Sequence, residues 1–346
     1  MAKIIDLSQN VAALCNDYPE LIKILSDLGF KPLANPLMRK IIGSHMTVLN
    51  ASKKMNIPMN QIMFALAENG FAVTGTETGS NENNTKTEEE RRKHAHEPGH
   101  TFLARMGKTR LRPGGIDATE WLLNKADITS DTKILEVACN MGTTLIQIAE
   151  KYGCSLTGLD LDGEALKNAE NNVKEHNLEN HITLVQGSAF ELPFPDETFD
   201  IVINEAMLTM LIGDQKDRAV SEYHRVLKPG GLLLTQDVCI RSDDKDIQNN
   251  IRAGISRAIN VNVEPLTITD WTEKFETQGF SVTKKDGEMT LLDPDGMKHD
   301  EGEEKTLEIL SNALKEENAD FFERMFTFFG KHKEQLGFVA FASEKN

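Results

Sequence analysis

The chain has 346 residues, which at roughly 150 residues per domain predicts two domains. Its hydrophobic fraction of 39% is sufficient for packed cores, so wholesale disorder is excluded. A formal net charge of −16 disfavours nucleic acid or an anionic membrane surface as a partner.

Cysteine usage and hydropathy indicate a cytoplasmic protein. The four cysteines are scattered and form no CxxC pair, which is typical of reduced thiols. The first residues lack the apolar stretch of a signal peptide, and no apolar run is long enough to span a bilayer. We therefore expect no membrane insertion and no structural metal site.

Residues 1–73 predict a small all-α domain. Apolar residues recur at helical spacing from Val11 to Leu28, and a second amphipathic stretch ends at Gly70. The segments Tyr18–Phe30, Asn35–Met38 and Met46–Ser52 resemble a small helical domain of unknown function. Some relatives carry cysteines where this chain has Lys31–Ala34, so the resemblance implies no metal or redox role.

Residues 74–93 predict a flexible linker, because they are rich in Gly, Thr, Asn and Glu and show no apolar periodicity. Residues 94–346 then form the larger domain. Strand-like segments alternate with helical ones, which predicts an α/β fold with a mostly parallel sheet covered on both faces. These strands are Lys133–Ala138, Ser155–Asp160, His181–Gln186, Phe199–Asn204, Gly231–Asp237, Phe280–Lys285 and Gly337–Ser343.

The turn after the first of these strands predicts a cofactor loop. It contains Glu136 to Gly142, and Asp160 ends the next strand twenty positions beyond Asn140. An acidic residue at this distance accepts hydrogen bonds from ribose hydroxyls in either a dinucleotide or S-adenosylmethionine. A pyrophosphate loop needs three glycines and only Gly142 is present, so an NAD-dependent oxidoreductase is disfavoured.

Three later segments follow in a specific order: Gln186–Ile203, His224–Asp237 and Gly337–Ser343. Together with the cofactor loop, they resemble the class I S-adenosylmethionine-dependent methyltransferases, particularly the small-molecule and quinone-type branch. The resemblance implies a Rossmann-like, mostly parallel seven-stranded sheet with an antiparallel last strand. It covers a core of residues 129–237, with a helical insertion at 289–335, and implies methyl transfer from S-adenosyl-L-methionine to a small-molecule acceptor.

The resemblance also implies which residues bind the cofactor. They are Glu136, Ala138, Asn140, Gly142, Asp160, Ser188, Ala189, Phe190 and Asn204. Ala138 and Asn140 replace the usual glycines, and Ser188 replaces the usual adenine-binding acid. Asn tolerates a left-handed backbone better than other non-glycine residues, so cofactor binding is retained in this interpretation.

The acceptor side is expected where the fourth and fifth strands end. The candidate catalytic residues are Glu205, Asp237 and Asn204, and the candidate substrate-pocket residues are Met207, Met210, Leu211, Arg110 and Arg112. For Glu205 the alternative is a solvated loop carboxylate. For the methionines it is core packing, and for the two arginines it is a solvated segment.

Several points stay open in the sequence. His94, His96 and His100 are interpreted as linker residues rather than metal ligands, because Pro98 and Gly99 interrupt them. Phe322, Met325, Phe326 and Phe329 fit core packing or a cap over an apolar pocket. The altered loop also permits a non-catalytic S-adenosylmethionine-binding sensor. Quinones, thiols, metalloids and natural products remain open as acceptors, and so does a homo-oligomer.

Overall fold

The computed structural model describes residues 3–36, 38–39, 43, 46–54, 57–74, 97–313 and 315–346. The chain divides into two compact units. The first comprises residues 1–95 with 307–319, and the second comprises residues 96–306 with 320–346. Residues 307–319 of the predicted insertion therefore belong to the first unit. The predicted linker lies outside the described residues, apart from Thr74.

The first unit is mostly helical, with one small sheet. Its N-terminal part comprises β1 (Lys3–Asp6), α1 (Val11–Asp17), α2 (Glu20–Asp27), a 3₁₀ turn (Lys31–Ala34), α3 (Val48–Lys54), α4 (Met59–Glu68) and β2 (Phe71–Thr74). The Asn10 side chain caps α1 by accepting a hydrogen bond of 2.8 Å from the Ala13 amide. Strands β1 and β2 pair in parallel from Lys3↔Phe71 to Asp6↔Thr74. The all-α prediction is therefore corrected, because two short strands pair across the whole predicted domain.

The second unit contains the predicted sheet. Its strands are β3 (Lys133–Val137), β4 (Ser155–Asp160), β5 (Ile182–Gln186), β6 (Phe199–Glu205), β7 (Leu227–Ile240), β8 (Leu266–Thr267), β9 (Phe280–Glu288) and β10 (Leu336–Lys345). Their spatial order is β5-β4-β3-β6-β7-β10-β9, and β8 pairs with β7 off this path. Strand β10 is antiparallel to both neighbours. The predicted seven-stranded sheet with an antiparallel last strand is confirmed, with β8 as a two-residue addition.

The remaining helices lie within residues 99–331, and the last two cross the boundary between the units. They are α5 (Gly99–Arg105), α6 (Gly115–Leu123), α7 (Thr143–Tyr152), α8 (Gly163–Glu175), α9 (Gln215–Val226), α10 (Lys245–Ile259), α11 (Ile268–Glu276), α12 (Pro294–Glu301), α13 (Glu303–Ala313) and α14 (Glu316–Lys331). A 3₁₀ turn at Leu208–Met210 follows β6. In the part of the chain that the structure describes, no helix combines the length and the apolar character needed to cross a bilayer.

Two separate apolar cores lie against the sheet. Ile134 and Ile203 belong to one core, whereas Leu135 and Val202 belong to the other. Neighbouring residues of a strand point to opposite faces, so this division places one core on each face. Both faces are therefore covered, and ligands can reach the sheet at the carboxyl ends of its strands.

The aromatic stripe of the predicted insertion forms part of α14. Phe322 and Met325 are both 1% exposed, which agrees with the core-packing interpretation for these two side chains. The four cysteines are buried free thiols.

Candidate functional site

The loop between β3 and α7 has an unusual backbone. Ala138 and Asn140 have φ values of +61° and +48°, and Gly142 precedes α7 with φ of +74°. Left-handed conformations cost little for glycine and asparagine but are uncommon for alanine. Three such residues within five positions turn the chain sharply from strand to helix. The backbone therefore keeps its left-handed turn although Ala138 and Asn140 replace glycines.

Asp160 holds this loop from the neighbouring strand. Its Oδ2 accepts a hydrogen bond of 2.8 Å from the Asn140 amide, and its Oδ1 accepts one of 3.0 Å from the Asp162 amide. The residue is half-buried. Each carboxylate oxygen has two lone-pair directions, so Asp160 retains capacity for further donors. The structure thus brings together the two loops that the sequence spacing associated with ribose binding.

The turn after β5 carries Ser188, Ala189 and Phe190, which are all half-buried. Ser188 Oγ accepts a hydrogen bond of 3.2 Å from the Phe190 amide, which leaves its hydroxyl proton available to another acceptor. The guanidinium carbon of Arg218 lies 4.9 Å from the centroid of the Phe190 ring. This cation–π contact fixes the outer face of the turn.

Arg112 lies between two acidic side chains beneath the cofactor loop. Its Nε forms an ion pair with Glu205 Oε2, and its Nη2 lies 3.5 Å from Glu136 Oε1. Arg112 and Glu205 are each 8% exposed, and Glu136 is 2% exposed. Burial of charge is costly without such pairing. The alternative interpretations, a solvated arginine segment and a solvated Glu205, are therefore wrong for these residues.

Glu205 is fully engaged by hydrogen-bond donors. Its Oε1 accepts from Thr119 Oγ1 at 2.7 Å and from Gln236 Nε2 at 2.5 Å. Its Oε2 accepts from Thr144 Oγ1 at 3.0 Å, in addition to the Arg112 ion pair. Four donors occupy the lone pairs of this carboxylate. This arrangement fixes Glu205 rather than leaving an oxygen free to accept a substrate proton.

Glu136 has fewer partners. Its pKa is raised to about 8, mainly by burial and also by Glu205, while Arg112 and the Leu145 amide act in the opposite direction. Among the described residues, Glu136 Oε2 and Arg112 Nη1 are buried without a hydrogen-bond partner. An unpaired buried donor and acceptor in one cluster can both be satisfied by a ligand that carries complementary groups.

The segment that carries Arg112 is held by the end of α12. Glu301 accepts hydrogen bonds from the amides of Thr109 and Arg110, at 3.0 and 2.9 Å, and forms an ion pair of 3.3 Å with Lys108. Lys108 is completely buried. The insertion therefore contributes the residue that positions the arginine segment, which the sequence did not reveal.

A second carboxylate of α12 fixes the start of α6. Asp300 Oδ1 accepts a hydrogen bond of 2.9 Å from the Ile116 amide. Gly115 has φ of +58°, and a methyl group added to it would overlap that same oxygen. Only glycine satisfies both conditions. The Pro113–Gly115 turn is thereby tied to α12.

Asp237 lies on the other side of β7 from this cluster. Its Oδ2 accepts from the Thr209 amide at 2.9 Å, and its Oδ1 accepts from the Val238 amide at 2.7 Å. Burial raises its pKa, whereas the Thr209 hydrogen bonds lower it. The residue is 1% exposed and holds the 3₁₀ turn after β6. This geometry does not support a role for Asp237 as an acid or base.

The remaining predicted residues fall into two groups. Asn204 is fully buried, and its Nδ2 donates a hydrogen bond of 3.1 Å to the Val137 carbonyl next to the cofactor loop. Met207 and Leu211 pack against the same core as Ala189 and Phe190. Met210 packs against a different core, which contains Ile240 and Leu336. The predicted methionine pair is therefore divided between two apolar clusters.

Arg110 and His100 lie in the N-terminal part of this unit. Arg110 Nη1 donates a hydrogen bond of 3.2 Å to Gln147 Oε1 on α7, and burial followed by the nearby Arg112 charge lowers its pKa. His100 is half-buried in α5, so the linker interpretation is wrong for it. Burial lowers the pKa of His100, although the nearby carboxylate of Asp160 raises it. His94 and His96 lie outside the described residues.

Sequence reasoning missed the donors that surround Glu205. Gln236 is the cross-strand neighbour of Glu205 in the β6–β7 register, so both side chains lie on the same face. Asp237, the next residue, points to the other face because strand side chains alternate. This alternation is the signal that would have favoured Gln236 over Asp237. Nothing comparable in the sequence identifies Thr119 or Thr144.

Sequence families match both parts of the chain. A methyltransferase domain family matches residues 134–231, which include most of β3, the cofactor loop and Asp160. A domain of unknown function (DUF1858) matches residues 5–63.

Individual proteins extend these matches. An uncharacterized protein of Haemophilus influenzae is 51% identical over 251 residues, which cover 72% of this chain and 98% of that protein. Demethylmenaquinone methyltransferase of Anoxybacillus flavithermus is 38% identical over 114 residues, which cover 32% of this chain and 47% of that protein. The chain thus spans about half the length of the named methyltransferases that it matches.

A solved structure agrees with the fold. The crystal structure of MccD protein superposes with a TM-score of 0.55 at 22% sequence identity, covering 68% of this chain and all of that one. The sheet order, the left-handed loop held by Asp160 and the sequence matches converge on one conclusion. The chain belongs to the class I S-adenosylmethionine-dependent methyltransferases.

Proposed function

We propose that this protein transfers a methyl group from S-adenosyl-L-methionine to a small-molecule acceptor. The observation that carries the proposal is the pair of hydrogen bonds from Asn140 and Asp162 that fixes Asp160 beside the left-handed loop. A carboxylate held in this way can accept the two hydroxyl donors of a ribose without reorganising. S-adenosyl-L-methionine would supply an electrophilic methyl group on its sulfonium.

The residues fit the chemical groups of this cofactor. Asp160 offers acceptors for hydroxyl groups, and the half-buried Ser188 turn offers both a hydroxyl proton and an apolar wall. Leu161, next to Asp160, is 72% exposed, although a large apolar side chain in water is unfavourable. An adenine ring is a flat apolar partner for such a side chain. The unpaired Glu136 Oε2 and Arg112 Nη1 complement an ammonium and a carboxylate.

We assign Glu205 a positioning role in place of the predicted catalytic one. Its three hydrogen-bond donors and its ion pair with Arg112 hold the guanidinium at a fixed place next to Glu136. We likewise assign Asp237 the role of holding the turn after β6. Asn204 remains a candidate contact, since its buried Oδ1 has no partner among the described residues.

The proposed transfer therefore relies on positioning. Displacement at a sulfonium carbon needs an acceptor lone pair aligned with the breaking bond, and alignment alone provides a large part of the acceleration. Met207 and Leu211 are half-buried beside the Phe190 turn, and flexible methionine side chains adapt to irregular apolar ligands. Arg110 adds a guanidinium for an anionic group. These features favour an apolar or amphipathic small molecule.

Titration calorimetry with S-adenosyl-L-methionine tests the proposal. We expect the wild-type protein to bind the cofactor and the Asp160→Ala variant to bind at least tenfold more weakly, because removal of a hydrogen-bond partner of this kind costs about 1.4 kcal/mol or more. Asp196→Ala is the matched control, since Asp196 is an exposed aspartate paired with Arg225. Absence of wild-type binding, or equal binding by both variants, would contradict the proposal.

A cofactor-binding sensor without transferase activity is the second candidate. It is favoured because both predicted acid–base carboxylates already have partners within the protein: Glu205 is paired with Arg112, and Asp237 accepts a hydrogen bond from the Thr209 amide. The two functions differ in turnover. Production of S-adenosylhomocysteine with any acceptor from a panel of quinols, thiols and phenols would exclude the sensor.

A further inference from the structure

The buried cluster beneath the cofactor loop has an unbalanced charge. It contains one guanidinium, Arg112, and two carboxyl groups, Glu136 and Glu205. The charge of the neighbouring Arg110 also interacts with Glu205, and the carboxylates of Asp300 and Glu301 offset it. If both carboxyl groups were ionised, the cluster would carry a net negative charge at 8% exposure or less. An uncompensated buried charge is costly, and a protein avoids it by retaining a proton.

The two carboxyl groups share the guanidinium unequally. Glu205 has the direct ion pair with Arg112 Nε and three further donors, from Thr119, Thr144 and Gln236. Glu136 Oε1 lies 3.5 Å from Arg112 Nη2, beyond the range of a strong hydrogen bond. Its Oε2 has no partner among the described residues. Glu136 is therefore the group of the pair that retains the proton.

The groups that face Glu136 come from each neighbouring element. Arg112 and the Leu145 amide of α7 favour its ionised form, whereas burial and Glu205 on β6 oppose it. Cys139 on the cofactor loop also faces it, and burial raises the pKa of this thiol, so the thiol adds no charge to the cluster. Burial is the largest of these effects, and it raises the pKa of Glu136 to about 8.

We propose that binding of the cofactor releases one proton from Glu136, because the α-ammonium of the cofactor supplies the missing positive charge. The inference rests on the proposed function. The O–H bond of the Glu136 carboxylic acid breaks, its electron pair stays on the carboxylate, and the proton passes to the buffer. The resulting carboxylate would accept a hydrogen bond from the ammonium, and Arg112 Nη1 would donate to the cofactor carboxylate.

This proposal makes the amino-acid part of the cofactor responsible for the proton release. S-adenosyl-L-methionine and S-adenosylhomocysteine both carry the α-ammonium, although only the first carries a sulfonium. 5′-Methylthioadenosine has the same nucleoside and a neutral sulfur but no amino-acid group. The three compounds therefore separate the ammonium from the sulfonium and from the nucleoside.

Calorimetry of the full chain in phosphate and in Tris at pH 7 measures the released protons, because the observed enthalpy changes with the ionisation enthalpy of the buffer. We expect close to one proton for S-adenosyl-L-methionine and for S-adenosylhomocysteine, and none for 5′-methylthioadenosine. Since one proton is coupled to binding, the Kd for both amino-acid ligands should fall nearly tenfold between pH 6 and pH 7. This gain should end near pH 8, where the carboxyl group of the unbound protein is itself ionised.

The Glu136→Gln variant is the matched control, since glutamine imitates the protonated side chain and cannot release a proton. We expect its binding enthalpy for S-adenosyl-L-methionine to be independent of the buffer, and its Kd to be constant from pH 6 to pH 7. If this variant fails to fold, the wild-type comparison of the three ligands still decides. Binding of S-adenosyl-L-methionine without proton release, or release with it but not with S-adenosylhomocysteine, would overturn the inference. Absence of binding at every pH would instead overturn the proposed function.

Discussion

Replacement of Glu136 by glutamine should change how the stability of the second unit depends on pH. The ordinary pKa of this carboxyl group is 4.5, and in the folded protein burial raises it to about 8. Between these two pH values the folded chain retains a proton that the unfolded chain has lost. The unfolding free energy of the wild type therefore falls as the pH rises through this window.

The size of the effect follows from the two pKa values. Each pH unit inside the window changes the unfolding free energy by about 1.4 kcal/mol, with less at the two ends. From pH 5 to pH 8 the wild type should lose about 3 to 4 kcal/mol relative to Glu136→Gln, whose amide does not titrate. The difference should level off above pH 8, where the folded and unfolded chains both have an ionised carboxylate.

Urea unfolding without cofactor, followed by tryptophan fluorescence, measures this difference. Trp121 and Trp271 are the two tryptophans of the chain, and both lie in the second unit. Their emission therefore reports on the unit that contains Glu136. The exposed Glu179, replaced by glutamine, is the control and should follow the wild-type curve. A wild-type minus Glu136→Gln difference that is constant or rises from pH 5 to pH 8 would refute the reasoning.

Two further substitutions test how the arginine segment is built, with the same fluorescence measurement. Arg112→Met leaves two buried carboxyl groups without their guanidinium and should lower the unfolding free energy by about 3–5 kcal/mol at pH 8. Adding Glu205→Gln should recover part of this loss. An unchanged unfolding free energy in Arg112→Met would contradict the buried ion pair. Gly115→Ala combines φ of +58° with a methyl group against a carboxylate of α12 and should cost about 1–3 kcal/mol. Gly213→Ala has φ of +60° but open space around the added methyl, so it should cost less; equal losses would exclude the close approach.

The sequence predicted the contacts of one acidic residue at a strand end, Asp160, but not those of another, Glu205. Asp160 was predicted from its spacing to the loop, and the hydrogen bond from the Asn140 amide brings the two together as expected. Glu205 was predicted from its place at the end of a strand, but its donors were not. The hydroxyl and amide donors among them come from residues 31 to 86 positions away in the chain, and no local pattern records such pairings.

The amino-acid sequence by itself determined the alternation of strands and helices and the position of the sharp turn after β3. These features depend on side-chain periodicity and on local turn chemistry, which neighbouring residues express directly. The tertiary structure decided which charges meet. It paired β1 with β2 across the predicted N-terminal domain, joined the end of α12 to the arginine segment, and buried Arg112 between Glu136 and Glu205. Such contacts join residues distant in the chain, and their energies depend on burial, which a sequence pattern does not specify.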